Sequence, residues 1–300
     1  MSVSKPGEPL GGLLLSSGEV TIGKRHRRSL RVRNALVACG LRLEGKRVLD
    51  LGCAEGLHSL YFAQRAAEVV GVDHRQSKIL IAQANAAALG AKNVRFIAGD
   101  IRDPEIFRSL GSFDLVVAWG FLHRITDIFS LLYSIEPLAR TLSLEWRTPV
   151  LPMMSRLSVA YHYPAAKALD PMNIARHGGE PEPAGDDKRK IEGDSGFWEP
   201  TPGAVAAITR RLGFTHARLL GYDEDLVSEE AILERVWARH LSEVAAGKAL
   251  FEHLPRGRLH MLFEKEAGAI GVDKLELGQV ALPKWDVGLQ KSLARRQARA

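Results

Sequence analysis

The chain has 300 residues, 46% hydrophobic and 25% charged, a composition that suits one large α/β domain with appendages and a sizeable core. No apolar run approaches the ~20 residues needed to span a bilayer, no secretory signal is apparent, and the two cysteines, Cys39 and Cys53, give neither a disulfide framework nor a metal-ligand spacing, as expected of a reducing cytoplasm. The net charge of +6 sits at the termini: residues 1–43 hold eight Lys/Arg against Glu8 and Glu19, the last ten residues add four cations and no acid, and residues 44–290 sum to about −4.

The basic segment before residue 44 is densest at Lys24, Arg25, Arg27, Arg28, Arg31 and Arg33, with His26 among them. Such a run is either a solvated helix face or tail, or a surface for the phosphates of a nucleic acid. Val48 to Gly56, VLDLGCAEG, is the most informative stretch. An apolar run ends on Asp50 and turns through Gly52 and Gly56 into a helical pattern, LHSLYFAQRAAE. This predicts a buried strand, a tight glycine turn and a helix N-terminus, the usual cradle of a nucleotide-like ligand. A dinucleotide site wants G-x-G-x-x-G, so that backbone closes on a pyrophosphate. Here the spacing is G-x-A-x-G, with Ala54 in the middle. Asp50 and Glu55 would repel a phosphate and attract a cation, so the turn suits a cationic ligand without phosphate.

Strands and helices then alternate. A second strand, Glu68 to Val72, ends at Asp73, 21 residues after Gly52 and close to the ~20-residue offset at which an acid meets ribose hydroxyls. A helix over Gln76 to Leu89 closes at Gly90. A third strand, Val94 to Ala98, runs into Gly99-Asp100-Ile101, and a fourth, Phe113 to Ala118, into Trp119-Gly120-Phe121-Leu122-His123. A helix over Ile125 to Leu138 and a fifth strand, Thr141 to Trp146, follow. Between Arg147 and Gly203 the texture changes: eight of the fourteen prolines fall here, with a polar stretch, EPEPAGDDKRKIEGDSG. A loop this long in a compact domain tends to be a lid or a binding loop. Residues 147–202 are therefore expected to form a lid insertion over an acceptor site, with Tyr161, Tyr163 and Trp198 as walls. Thr201 can cap a helix whose first turn holds Pro202. That helix, Ala204 to Leu212, stops at Gly213 and leads to a strand, Phe214 to Leu220, a charged helix, Ser228 to Ala246, and a last strand, Leu259 to Glu264. The expected organisation is a basic extension over 1–43, a domain over 44–265 and a C-terminal extension over 266–300.

From Lys46 to about Trp146 these residues resemble the class I S-adenosylmethionine (SAM) dependent methyltransferases. The first motif of that family reads roughly (V/L)-L-D-x-G-x-G-x-G, and GCAEG is a form of it. The resemblance implies an α/β, Rossmann-like, seven-stranded and mostly parallel sheet with helices on both faces, its last strand antiparallel. It implies SAM as cofactor, held by Asp50, Gly52, Cys53, Ala54, Glu55 and Gly56, with Asp73 on the ribose, Asp100 and Ile101 at the adenine, and Trp119 as a pocket wall. Asp73 or Asp100 alone could be a turn acid; together at strand ends they mark the ligand edge of an open sheet. The loop after the fourth strand is where the family brings substrate beside the methyl donor. His123 there is a candidate general base, or a residue that packs or orients substrate.

The loop after the fourth strand lacks the (N/D)-P-P-(Y/F) of amino-methylating enzymes. There is no acid and Asn set of the metal-dependent catechol type, no paired-glutamate loop of the arginine type, and no cysteine placed as in cytosine-C5 enzymes. What remains is a metal-free transferase working mainly by proximity. A looser likeness, carried by GKRVLDLGCAEGLHSL, GFLHR and FWEPTPGAVAAITRRLGF, is to the enzymes that methylate or carboxymethylate the hydroxyl of a modified wobble uridine in tRNA. The mildly acidic domain favours O-methylation of a small-molecule or glycan-like acceptor, and the basic termini make tRNA the alternative. A non-catalytic SAM-binding protein is a further alternative, and a nucleotide-dependent oxidoreductase is opposed by the Ala54 spacing. Oligomeric state is left open.

Overall fold

The computed structural model describes residue 34 and residues 37–122, 125, 128–151, 153–156, 158, 160–163, 197–222, 229–245 and 256–273. In chain order they form β1 (Arg47–Leu51), α1 (Leu57–Ala63), β2 (Glu68–Asp73), α2 (Gln76–Ala88), β3 (Val94–Ala98), β4 (Phe113–Trp119), α3 (Ile128–Ile135) and β5 (Ala139–Pro149). Then come β6 (Ala160–Tyr163), β7 (Phe197–Pro200), α4 (Pro202–Arg211), β8 (His216–Tyr222), α5 (Glu229–Ala245) and β9 (Arg256–Glu264). Seven strands make one sheet in the order β3-β2-β1-β4-β5-β9-β8. The first five pair in parallel, and β9 runs antiparallel to both β5 and β8, which is the expected architecture. The chain leaves β1 toward β2 on one side and returns to β4 on the other. The carboxyl ends of β1 and β4 therefore flank a topological switch point, where open α/β sheets bind ligands.

The apolar runs of the central strands are continuous because both sheet faces are covered. On one face Leu49, Leu51, Val116, Leu144 and Trp146 pack with Leu132 and Ile135 of α3, Val205 of α4 and Ile232 of α5. Ile128, Leu131, Leu132 and Ile135 recur at i, i+3, i+4 and i+7, which gives α3 one buried stripe. On the other face Val48, Val69, Leu115 and Val117 meet Tyr61 and Phe62 of α1. Thr201 caps α4 by accepting the Ala204 N–H at 3.3 Å, with Pro202 in the first turn.

Several elements differ in extent from the sequence reading: β8 is shifted two residues along the chain, and β9 begins at Arg256 instead of Leu259. Helix α1 stops at Ala63, because Glu68 already opens β2 and the intervening residues are needed to turn the chain. Helix α3 ends at Ile135, and Pro137 sits in a following 3-10 turn where its missing N–H is tolerated. Strand β5 is eleven residues long because β9 pairs with it from Thr141↔Glu264 to Pro149↔Arg256. The packed unit also reaches beyond 44–265 on both sides. Leu41, Leu43 and Ile270 are fully buried, Leu41 bridges to Val272, and the Arg42 N–H donates to Gly271 O at 2.8 Å. The Lys24–Arg33 cluster and residues 274–300 lie outside the described residues. No helix among the described residues is long and apolar enough to cross a membrane.

Candidate active site

After β1 the chain reverses through three positive-φ residues, Gly52 (68°), Ala54 (49°) and Gly56 (79°). Glycine is needed at 52 on two counts, since a Cβ there would adopt the left-handed region and lie 2.7 Å from the Phe121 ring of the loop after β4. Four amides of the turn, those of Gly52, Cys53, Ala54 and Gly56, are already engaged. Gly52 and Cys53 both donate to Val72 O, at 2.8 and 3.0 Å, and Gly56 donates to Cys53 O at 2.9 Å. The Ala54 N–H donates to Asp73 Oδ2 at 3.0 Å. A pyrophosphate cradle needs free N–H groups; this turn offers glycine space and nearby acids, which suits a ligand that brings donors or positive charge.

The acids are arranged in layers. Asp50 is buried and accepts the Ser59 hydroxyl at 2.5 Å. Burial pushes its carboxyl up to about 7, the Ser59 bond works against this, and the negative charge of Asp73 adds to it. Asp73, 3% exposed, accepts from the Arg75 N–H (3.0 Å) and Nε (3.1 Å) on Oδ1, and from Ala54 N and Arg75 Nη2 (3.3 Å) on Oδ2. Burial would raise its carboxyl, but the bonds and charge of Arg75 outweigh it and hold it below the ordinary value. Asp100, at the end of β3, is gripped by the Arg102 Nε at 2.9 and 3.0 Å, and that bond holds its carboxyl low. Glu55 differs from the sequence reading: Lys78, in the first turn of α2, reaches back to it at 2.8 Å, so its charge is met within the protein. The Cys53 thiol is buried and pushed up by that burial, so what Cys53 lends the turn is its backbone. Ile101 packs half-buried against the core.

Trp119 packs more deeply than a loop residue would. Expected as a pocket wall, it is 6% exposed and belongs to the core on the α1 face. Its indole N–H donates to Ser143 Oγ at 3.0 Å, and its ring meets His58, Phe62 and His260 edge-on at 5.2, 5.5 and 5.1 Å. Ser143 opens a polar row that the sequence reading missed. Because β-strand side chains alternate, Ser143, Glu145 and Arg147 share that face, opposite Leu262, His260 and Arg258 of β9. Arg258 Nη1 lies 3.0 and 3.3 Å from the two Glu145 oxygens, and Arg147 Nε lies 3.1 Å from Oε1 of Glu199 in β7. Burial raises the Glu199 carboxyl, opposed by Arg147 and Arg258. The alternation in TLSLEWR was a legible signal for the shared face. Nothing local indicated that the face is covered.

His123 lies outside the described residues. For Tyr161, Tyr163 and Trp198 the backbone alone is described: β6 and β7 form an antiparallel ribbon with Tyr161 opposite Glu199, and Tyr163 opposite Phe197. The ribbon is held to β5 by the Arg147–Glu199 pair and by the Trp146 indole N–H, which donates to Pro200 O at 2.8 Å.

Residues 43–143, which contain the glycine turn, Asp73, Asp100 and Trp119, match a family described as a methyltransferase domain. Over residues 43–143 the chain carries a methyltransferase domain. Over 88 residues this domain is 41% identical to a magnesium-protoporphyrin O-methyltransferase of Rhodobacter capsulatus, a match covering 29% of this chain and 38% of that protein. Over 96 residues it is 34% identical to the O-antigen chain terminator bifunctional methyltransferase/kinase WbdD of Escherichia coli, covering 32% of this chain and 13% of that protein. The chain thus spans well under half the length of these relatives. The N-terminal domain of EvdMO1, solved with SAH bound, shares the fold at a TM-score of 0.53 and 16% identity, over 85% of this chain and 90% of that one. The matched segment ends within β5, so Arg147, Glu199 and Arg258 lie beyond it.

Proposed function

We propose that the chain is a SAM-dependent methyltransferase acting on an oxygen of a small-molecule or glycan-like acceptor. The observation that carries this reading is the glycine turn with its amides engaged, followed by acids at the ends of β2 and β3 in the order of a methyltransferase sheet. A carboxylate offers about four acceptor positions, and Asp73 fills them with two backbone N–H groups and two Arg75 side-chain bonds. A ribose diol can replace the two side-chain bonds while the backbone ones keep the turn in place. Arg102 is a 63% exposed side chain, and surface pairs of this kind are worth about 0–1 kcal/mol, so Asp100 can be released toward an adenine amine at little cost. When bound, SAM supplies an electrophilic methyl group. The protein's part is to hold the accepting atom in line with it, and orientation of this sort is worth about 7–11 kcal/mol. For a hydroxyl acceptor a base is also needed, and His123 remains the proposed one.

An oxygen acceptor is supported by relatives whose names specify O-methyl transfer, the magnesium-protoporphyrin enzyme and a ubiquinone biosynthesis O-methyltransferase of Azorhizobium caulinodans, 34% identical over 86 residues, 29% of this chain and 33% of that protein. A glycan-like acceptor is supported by the relative named for O-antigen. The tRNA reading is supported by the cations from Lys24 to Arg33 and by the basic tail. Salt separates the two. Phosphate contacts release counterions, so transfer to RNA should fall by orders of magnitude between about 50 and 200 mM salt, and a small acceptor, with few charges to screen, should respond far less. Methyl transfer from labelled SAM, screened against sugars, phenols and tRNA at both salts, tests this. Steep salt loss that disappears in the Arg25→Ala, Arg27→Ala, Arg28→Ala triple variant would install tRNA as the acceptor.

A further inference from the structure

Strands β5 and β9 run on past the carboxyl end of β4. Trp119, the last residue of β4, pairs with Glu145, while β5 continues to Pro149 still paired with β9. This two-stranded overhang stands beside the ligand edge of the sheet, and on its Trp119 side Arg147 sits directly opposite Arg258. Like charges in directly opposed positions repel each other. Here each guanidinium has a carboxylate, Glu199 for Arg147 and Glu145 for Arg258.

The layering of that cluster is informative. The Glu145 and Glu199 side chains are 0% and 1% exposed, whereas those of Arg258 and Arg147 are 18% and 26% exposed. A ligand reaching this edge meets guanidinium, with the carboxylates beneath. Arg147 meets Glu199 Oε1 through Nε at 3.1 Å and keeps 26% of its side chain exposed, so guanidinium stands at the surface of the cluster. Arg258 ties the cluster to the methyl-transfer edge. A Cβ built on Gly120 would lie 3.8 Å from Arg258 Nη1 and 3.4 Å from Glu145 Oε2, and the next residue, Phe121, covers Gly52 of the cofactor turn.

Resting on the methyltransferase reading, we infer that Arg147, backed by Arg258, forms the subsite for an oxyanion group of the acceptor, a carboxylate or a phosphate ester. A planar guanidinium fork matches either group through two parallel charge-assisted bonds. The acceptor is then an acidic molecule, and the anionic group sets its orientation while the methyl-accepting oxygen lies toward Gly120.

The test uses the full chain, with and without S-adenosylhomocysteine, titrated with inorganic phosphate and separately with acetate at constant ionic strength kept by chloride. The readout is the unfolding temperature, with far-UV circular dichroism confirming the fold of each variant. At least one oxyanion should raise the unfolding temperature above its value in chloride, and the stronger of the two identifies the acceptor group. Arg147→Gln should need about tenfold more anion, as expected for a lost charge-assisted bond. Arg147→Lys, which folds with its charge retained but without the fork, should fall between. The Arg25→Ala, Arg27→Ala, Arg28→Ala triple variant should respond like the wild type. The inference is overturned if neither oxyanion outdoes chloride, if both Arg147 variants respond like the wild type, or if the triple variant loses the effect. S-adenosylhomocysteine affinity in the same samples reports the methyltransferase reading separately: oxyanion binding through Arg147 without S-adenosylhomocysteine binding would keep the subsite and remove the methyl-transfer reading.

Discussion

Replacing Asp73 and Arg75 should move cofactor affinity in opposite directions. With Asp73 present, a ribose diol gains two bonds to a carboxylate, worth about 1.5–3 kcal/mol each, and displaces the two Arg75 side-chain bonds. That pair is discounted because the Arg75 side chain is 33% exposed, which puts its loss at about 0–1 kcal/mol. Asp73→Ala should therefore weaken S-adenosylhomocysteine binding by about 2–6 kcal/mol, roughly 30-fold to some ten-thousand-fold. Part of that loss would come from releasing the Ala54 N–H, which Asp73 holds at 3.0 Å. Asp73→Asn separates the two effects, since its amide oxygen can still accept from Ala54 while the charge is gone. Arg75→Ala removes the competitor and should tighten binding by up to about fivefold. In a double-mutant cycle that gain should vanish on the Asp73→Ala background. Isothermal titration calorimetry of all four proteins provides the numbers. Asp73→Ala binding within twofold of wild type, Arg75→Ala weakening affinity as much as Asp73→Ala, or tighter binding of NADH than of S-adenosylhomocysteine would each refute the reasoning.

Asp50 sets a pH test. Its folded-state value of about 7 lies above the ~3.9 of an unfolded aspartate, so the neutral form stabilises the fold below about pH 4 and that contribution is lost as pH rises through 7. Asp50→Asn should thus gain stability relative to wild type between pH 5 and pH 8 in guanidinium unfolding; an equal offset at both pH values would contradict this. Gly52→Ala forces a Cβ into the left-handed region and against the Phe121 ring, which should cost about 1–3 kcal/mol and lower cofactor affinity. An unchanged unfolding midpoint would show that the turn relaxes freely. Deleting Gly178 to Asp194 should leave S-adenosylhomocysteine affinity intact and depress methyl transfer, and full transfer by the deletion variant would make that segment a linker.

The sequence by itself determined the doubly wound architecture, the place of the glycine turn and the strand-end acids in it, and the class of ligand. Those properties follow from local signals: continuous apolar runs for strands buried on both faces, helical patterns between them, a glycine turn with Ala54 where a dinucleotide site has glycine, and acids at the ends of β2 and β3. Folding leaves such signals legible because each depends on residues close in the chain. Tertiary structure alone decided the rest. It met Glu55 with Lys78, filled the acceptor positions of Asp73 with Arg75 and the Ala54 N–H, packed Trp119 against Ser143, Phe62 and His260, and drew Leu41, Leu43 and Ile270 into the packed unit. Strand β5 outran its expected length because β9, far along the chain, pairs with it, and the Glu145–Arg258 contact closes over a separation of 113 residues. Whether the polar side of TLSLEWR faces water or a buried ion cluster depends on which distant segment lies across it, and periodicity within a strand carries no information about its neighbour.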